Sequence, residues 1–236
     1  MSKGWVSKLL ISHRNSLKNK QANRPVLKST CHDKFNLVRV TTEQIVQHLY
    51  SLENKNNQAG MTRFGINTAQ ALGISVKVLR QLAKEYGKDH ETALDLWETG
   101  IHEAKLLAIW MDEPTMLSEE QMERWVTDID SWDLCDQACN NLFDKWPGAL
   151  DKAFEWSARP DEFVKRAGFV LMVALSVHDK KAADEIFTGF LPVIERASGD
   201  GRNFVKKATN WALRAIGKRN ARLNRQAVEL ASRLSA

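Results

Sequence analysis

The stretch Phe163-Val164-Lys165-Arg166-Ala167 returns 41 residues later as Phe204-Val205-Lys206-Lys207-Ala208. Apolar residues at helical spacing follow each copy: Val170, Leu171, Ala174 and Leu175 after the first, Trp211, Ala212, Ala215 and Ile216 after the second. A repeat of this length is a helix pair that cannot bury its apolar face alone and must stack on its neighbours. Stacked pairs build a curved solenoid with a long binding surface on its concave side. One copy carries Arg166 and the other Trp211, and both are expected to point the same way from equivalent repeat positions.

Helix signals extend this pattern in both directions. Thr41-Thr42 predicts a cap for a helix reaching about Glu53, with Ile45, His48, Leu49 and Leu52 on one face. Asn54 to Gly60 reads as a polar loop. Ser75 predicts the start of a helix stopped by Gly87, and Gly100 splits a helix pair running from His90 to Met111. Ser118 with Gln121 matches a capping box. Ser131 is expected to cap a helix that runs to about Lys145, where Trp146-Pro147-Gly148 stops it. Four longer or clearly bounded helices follow between Pro160 and Leu234, two of them split by the turn Ser198-Gly199-Asp200-Gly201. Counting the short one before Pro160, about eleven helices are joined by short loops, and no run of alternating β-branched residues competes with them. The predicted fold is all-α: a HEAT-like or armadillo-type solenoid of paired antiparallel helices.

A chain of 236 residues can bury a sizeable core. Its net charge of +5 hides an asymmetry. Residues 1–40 and 201–236 each hold nine Lys/Arg against one Asp/Glu, while residues 41–200 are net acidic. The first 40 residues, rich in Ser, Asn and Lys, suit a transit peptide, a nucleic-acid arm or a disordered leader, and disorder is the simplest reading. The folded domain is then expected over 41–236. The basic C-terminal repeat is either a solvated helix face or the footprint of a polyanion. The longest apolar stretch, Ala167 to Val177, is too short to cross a bilayer. Cys31, Cys135 and Cys139 form no metal-spaced set with His, and Cys135 and Cys139 read as a buried pair on one helix face in a reduced cytosolic protein. His102-Glu103 lacks the second His of a zinc HExxH motif, so a packing or capping role is expected. Trp97, Trp110, Trp125, Trp146 and Trp156 read as packing residues. No Walker loop or dinucleotide fingerprint is present, and neither metal nor cofactor is expected.

Ser131-Trp132-Asp133-Leu134-Cys135-Asp136-Gln137 is the segment that could carry chemistry. Trp132 and Asp136 are four apart and share a helix face. Asp133 sits in the first turn, where complementing the helix dipole is a sufficient role for it. Asp136 lies deeper, where Asp is a poor helix former, and reads either as a surface carboxylate or as the partner of a nearby cation.

The chain from about Thr42 to Arg233 resembles the HEAT-like-repeat DNA alkylation repair enzymes, the AlkD-like DNA glycosylases. The resemblance rests on the order and spacing of Met61-Thr62-Arg63-Phe64-Gly65-Ile66, Trp97-Glu98-Thr99-Gly100-Ile101-His102-Glu103-Ala104, the Ser131 to Asp136 segment, and the two Phe-Val-Lys copies, the second running on to Arg214. It implies that Trp132, Asp136, Arg166 and Trp211 form the catalytic site on a concave DNA-binding face. It implies excision of cationic N3- or N7-alkylated purines, such as 3-methyladenine and 7-methylguanine, from duplex DNA in base excision repair. The lesion would stay stacked rather than flip into a pocket. The enzyme would be a monomer in the cytoplasm, or in the bacterial cytosol and nucleoid if prokaryotic. Lys206, Lys207, Arg214, Lys218 and Arg219 are the expected phosphate contacts. The competing readings are a non-catalytic nucleic-acid-binding HEAT-repeat protein and a protein-interaction scaffold.

Overall fold

Local caps decide where most of the helices begin. Thr41 accepts from the Gln44 N–H while the Gln44 side chain accepts from the Thr41 N–H, a complete capping box that opens α1 (Thr42–Ser51). Asn54 caps α2 (Lys55–Arg63) and Ser75 caps α3 (Val76–Tyr86). The computed structural model describes residues 40–235, so the expected leader up to Arg39, with Cys31, lies outside the described residues. From α3 the chain continues through α4 (His90–Glu98), α5 (His102–Met111), α6 (Glu119–Thr127), α7 (Trp132–Asn141), a 3₁₀ turn over Phe143–Lys145, α8 (Ala149–Ser157), α9 (Glu162–His178), α10 (Asp184–Ala197), α11 (Asn203–Gly217) and α12 (Ala221–Leu234).

The helices form two rows. In the inner row α3, α5, α7, α9 and α11 each pack on the next. In the outer row α4, α8 and α12 back α5, α9 and α11, and α10 bridges α8 and α12. The Trp97 and Trp125 rings, stacked 4.0 Å apart and 3° from parallel, tie α4 to α6. The 41-residue repeat appears as α9 lying along α11, with the rings of Phe163 and Phe204 5.4 Å apart. Helix α9 is the hub. Every residue from Ala167 to Ala174 is buried, which explains the continuous apolar run that periodicity alone could not assign to one face. Gly168 lets α8 come close: a Cβ there would lie 2.3 Å from the Ser157 nitrogen.

Four sequence expectations are corrected. The polar loop over 54–60 is instead helix α2. It buries no residue, so it carries no apolar stripe to be read. Its hold on the body is polar: Asn57 donates to Gly73 O, and Gln58 to Ala71 O. Ser118 does accept from Gln121 N, but the Gln121 amide turns away to Asp112 Oδ2 at 2.6 Å, so the box is half made. Ser131 occupies the cap position of α7 without a capping hydrogen bond, and α7 stops at Asn141 rather than near Lys145. Arg166 and Trp211 are not at equivalent repeat positions: the register set by Phe163 and Phe204 pairs Arg166 with Lys207, and Trp211 with the buried Val170.

Candidate nucleic-acid interface and active site

The face of α7 not covered by other helices carries Trp132, Asp133, Asp136 and Gln137, while Leu134, Cys135, Ala138 and Cys139 point into the core. Both cysteines are free and buried, and their thiols face the Phe163 and Ala167 carbonyls of α9. This packing brings Asp136 against Arg166, whose side chain is only 5% exposed. The guanidinium grips the carboxylate with two nitrogens: Nε to Oδ1 at 3.1 Å, and Nη2 to Oδ1 at 2.8 Å and to Oδ2 at 3.0 Å. Its Nη1 donates to Phe204 O at 2.8 Å. The fork is therefore used to orient Asp136 and to bridge α7, α9 and α11, not to meet a phosphate. Burial pushes the Asp136 carboxyl up to about 6; the charge and hydrogen bonds of Arg166 oppose the rise and the neighbouring Asp133 adds to it. Asp136 remains mostly ionised at neutral pH.

Trp132 is fixed by a hydrogen bond from Nε1 to Phe64 O at 2.9 Å. Phe64 closes α2, and the next residue, Gly65, has φ +74° and lies against Phe204: an added Cβ would fall 2.8 Å from the ring. The segment between α2 and α3 thus reaches from Trp132 on α7 to Phe204 on α11. Glu103 pins its far end. Fully buried at the start of α5, its carboxylate accepts from the N–H groups of Leu72 and Gly73 at 2.7 Å, and of Ile74 at 3.2 Å. The packing or capping role expected for the His102-Glu103 pair is therefore met by Glu103 as a clamp on a distant loop.

Asp133 does more than complement a helix dipole. It accepts from Nε2 of the buried His102 at 2.9 Å. Burial works to lower the His102 pKa, but the hydrogen bond and charge of Asp133, with the charges of Glu103 and Asp130, together outweigh it and the net direction is up. Asp133 is held below the usual carboxylate range, because His102 outweighs the opposing effect of burial. The signal missed in the sequence lies 31 residues upstream, where no local pattern links the two side chains.

Lys207, Trp211, Arg214 and Lys218 fall on one exposed stripe of α11, since their spacing of three and four keeps them on one side of the helix. Trp211 is 39% exposed. A cleft of about 470 Å3 opens beside it, with Lys180, Arg214 and Lys218 among its walls. Lys206 is exposed but lies about 100° away from Lys207 around the helix. Arg219 differs from its neighbour Lys218. Its guanidinium donates to the carbonyls of Ser176, Asp179 and Ala182 at the end of α9 and beyond, and lies 3.7 Å from the centre of the Phe187 ring. It is a brace between repeats, which corrects its expected role as a phosphate contact.

The sequence profile of the DNA alkylation repair enzyme family matches residues 45–235. Among solved structures, the chain is similar to one described as a new family of proteins related to the HEAT-like repeat DNA glycosylases with affinity for branched DNA structures. The TM-score is 0.74 at 21% identity, over 82% of this chain and 83% of that one. No curated protein matches the chain. With the paired-helix fold in place and the family profile spanning all but the first few described residues, this chain belongs to the DNA alkylation repair enzyme family.

Proposed function

We propose that the protein is a DNA glycosylase that releases cationic N3- and N7-alkylated purines from duplex DNA. The observation that carries the reading is a part-buried, Arg-oriented carboxylate, Asp136, one helical turn from Trp132 on the open face of α7. An alkylated purine of this kind already bears positive charge. When its glycosidic bond breaks, the bonding electrons neutralise the base and the deoxyribose is left as an oxocarbenium ion. No acid is needed for the leaving group. The task is to stabilise positive charge on the sugar, and a preoriented carboxylate in a partly dry site does that, typically at ~10²–10³ in rate. Asp136 would face C1′ and orient the water that adds there. Arg166 holds it in one rotamer and favours its ionised form. Trp132 and Trp211 would exclude water around the sugar, which strengthens the field of the carboxylate. Lys207, Arg214 and Lys218 would hold phosphates and position the duplex without reading its sequence.

One observation favours a second reading, DNA binding without excision: the similar solved structure belongs to a family described by its affinity for branched DNA. A single assay separates the two. Duplex DNA methylated at guanine is incubated with the protein, and free 7-methylguanine is quantified. Release above the spontaneous rate, lost in Asp136→Asn, supports the glycosylase. Tight binding with no release supports the alternative.

A further inference from the structure

A second cavity, of about 590 Å3, is lined by Trp132 and Asp133 but not by Asp136. Its walls include Met61, Phe64, Ile66 and Trp132, and its floor includes His102 and Asp133. No step of the proposed excision uses it. Its most unusual feature is Phe64, which is 70% exposed, more than any other large apolar side chain among the described residues. A lone exposed aromatic is ordinary, but this one shares a cleft with Met61, Ile66 and Trp132, so it marks either a fraying end or an apolar patch awaiting a partner. Fraying is ruled out here by the backbone. Trp132 donates to the Phe64 carbonyl, Gly65 is wedged against Phe204, and Glu103 clamps Leu72 to Ile74 at the far end of the segment. The backbone that carries the exposed ring is pinned on both sides.

We propose that this cleft is a nucleobase site, taking one unstacked base of the DNA held on the open face. The proposal rests on the DNA-binding reading above but not on catalysis. Two aromatic side chains bound the cleft, and every base has a π-face to offer them whatever its sequence. The His102–Asp133 pair and the adjoining Asn56 give the floor polar groups for the base edges. The volume is in the range that holds small ligands, with ample room for a purine. Arg63, next to Phe64, is exposed and has no ion pair among the described residues, so a cation stands ready for the phosphate of the displaced nucleotide. Trp132 lines the cleft, and Asp136 stands one helical turn from it along α7.

The test uses the full chain and DNA without alkylated bases, so excision plays no part. Two duplexes of equal length are compared, one fully paired and one carrying a single bulged 2-aminopurine. The wild type should bind the bulged duplex more tightly and quench its 2-aminopurine emission on contact with the aromatic walls. Phe64→Ala should lower the preference for the bulge about tenfold and restore emission. Phe64→Trp should keep both, and Tyr50→Ala, which removes an exposed aromatic on α1, should change neither. Circular dichroism checks that each variant is folded. The proposal is overturned if the wild type binds the two duplexes equally, or if Phe64→Ala behaves like wild type. It is also overturned if Tyr50→Ala costs as much. A protein that shows the Phe64 effect but releases no 7-methylguanine refutes the glycosylase and leaves the cleft standing. One that releases 7-methylguanine but lacks the Phe64 effect does the reverse.

Discussion

Replacing Asp136 by Asn separates charge from shape, and the structure lets both consequences be sized. The first concerns stability. Even with Arg166 beside it, burial lifts the Asp136 carboxyl from the ordinary carboxylate range to about 6, so its ionised form costs ~3 kcal/mol in the folded protein at neutral pH. The sign is that of a raised acid: the cost is absent below the ordinary carboxylate value, grows as pH rises from there to about 6, and is full above it. A neutral isostere is relieved of it. Against that, the Asn side chain leaves the nearly buried Arg166 without its counter-charge, a loss of ~3–5 kcal/mol. The two nearly cancel. Stability should therefore change by no more than ~1–2 kcal/mol, a shift of a few degrees in Tm for a domain of this size. The second consequence concerns rate. The carboxylate charge acts on the sugar cation only in the transition state, so single-turnover release of 7-methylguanine should fall by ~10²–10³ while duplex affinity holds. The assay pairs thermal unfolding with single-turnover release under saturating enzyme. A folded, DNA-binding Asp136→Asn that excises within about threefold of wild type would refute the assignment of Asp136 as the catalytic carboxylate.

Three other outcomes follow from the same geometry. Excision by the wild type should be flat above pH 7 and fall as Asp136 is protonated, with a midpoint about 6, and a profile of single-turnover rates against pH checks it. Asp133→Asn should unfold early, losing ~3 kcal/mol because it strands the buried His102. That pair's contribution should be full below the ordinary histidine value and should fade as pH rises through the raised His102 value; melting curves of wild type and variant from pH 5 to 9 test it. Neutralising Lys207, Arg214 and Lys218 together should flatten the plot of log affinity against log salt by about 2–3, whereas Lys206→Ala should leave it nearly unchanged; titrations at several salt concentrations that show no difference between them would remove the α11 stripe from the interface.

Much of the fold was legible because its signals are local. Thr41, Ser75 and Ser118 stand immediately before helices they cap, and Gly87, with φ +79°, ends α3 where a left-handed residue is needed. The repeat could be read because one helix pair must present the same apolar residues to each neighbour. Helix α2 could not. Its bonds run to the carbonyls of Ala71 and Gly73, and no apolar stripe announces them. The site divides the same way. Trp132 and Asp136 are four apart and visibly share a face, but Arg166 stands 30 residues from Asp136 and came only through the family resemblance. Lys218 and Arg219 are adjacent cations with the same local context. Only the carbonyls at the end of α9 distinguish the exposed lysine from the arginine that braces the repeats. Phe64 lay within a segment already noted for the resemblance, yet nothing in its flanks said that its ring would be left in solvent.

Net charge by segment is the poorest guide of all, and the reason is physical. Residues 41–200 carry more acid than base, which would argue against DNA on their surface. The structure shows where those acids are spent. Glu119, Glu123 and Glu155 converge on the nearly buried Lys152 in the outer row. Asp112 takes His90 and Gln121, Asp144 takes His178, Asp133 takes His102, and Glu103 takes backbone N–H groups. At the basic end the sorting works in reverse. Arg222 and Arg233 are paired with outer-row acids of α10, and Arg219 is tied to carbonyls, while Lys207, Arg214 and Lys218 form no ion pair among the described residues. Most of these acids are held by partners within the protein, and the cations left unpaired line up on one exposed stripe of α11. A phosphate backbone approaching to within a Debye length of about 8 Å responds to that local stripe rather than to the sum over the chain.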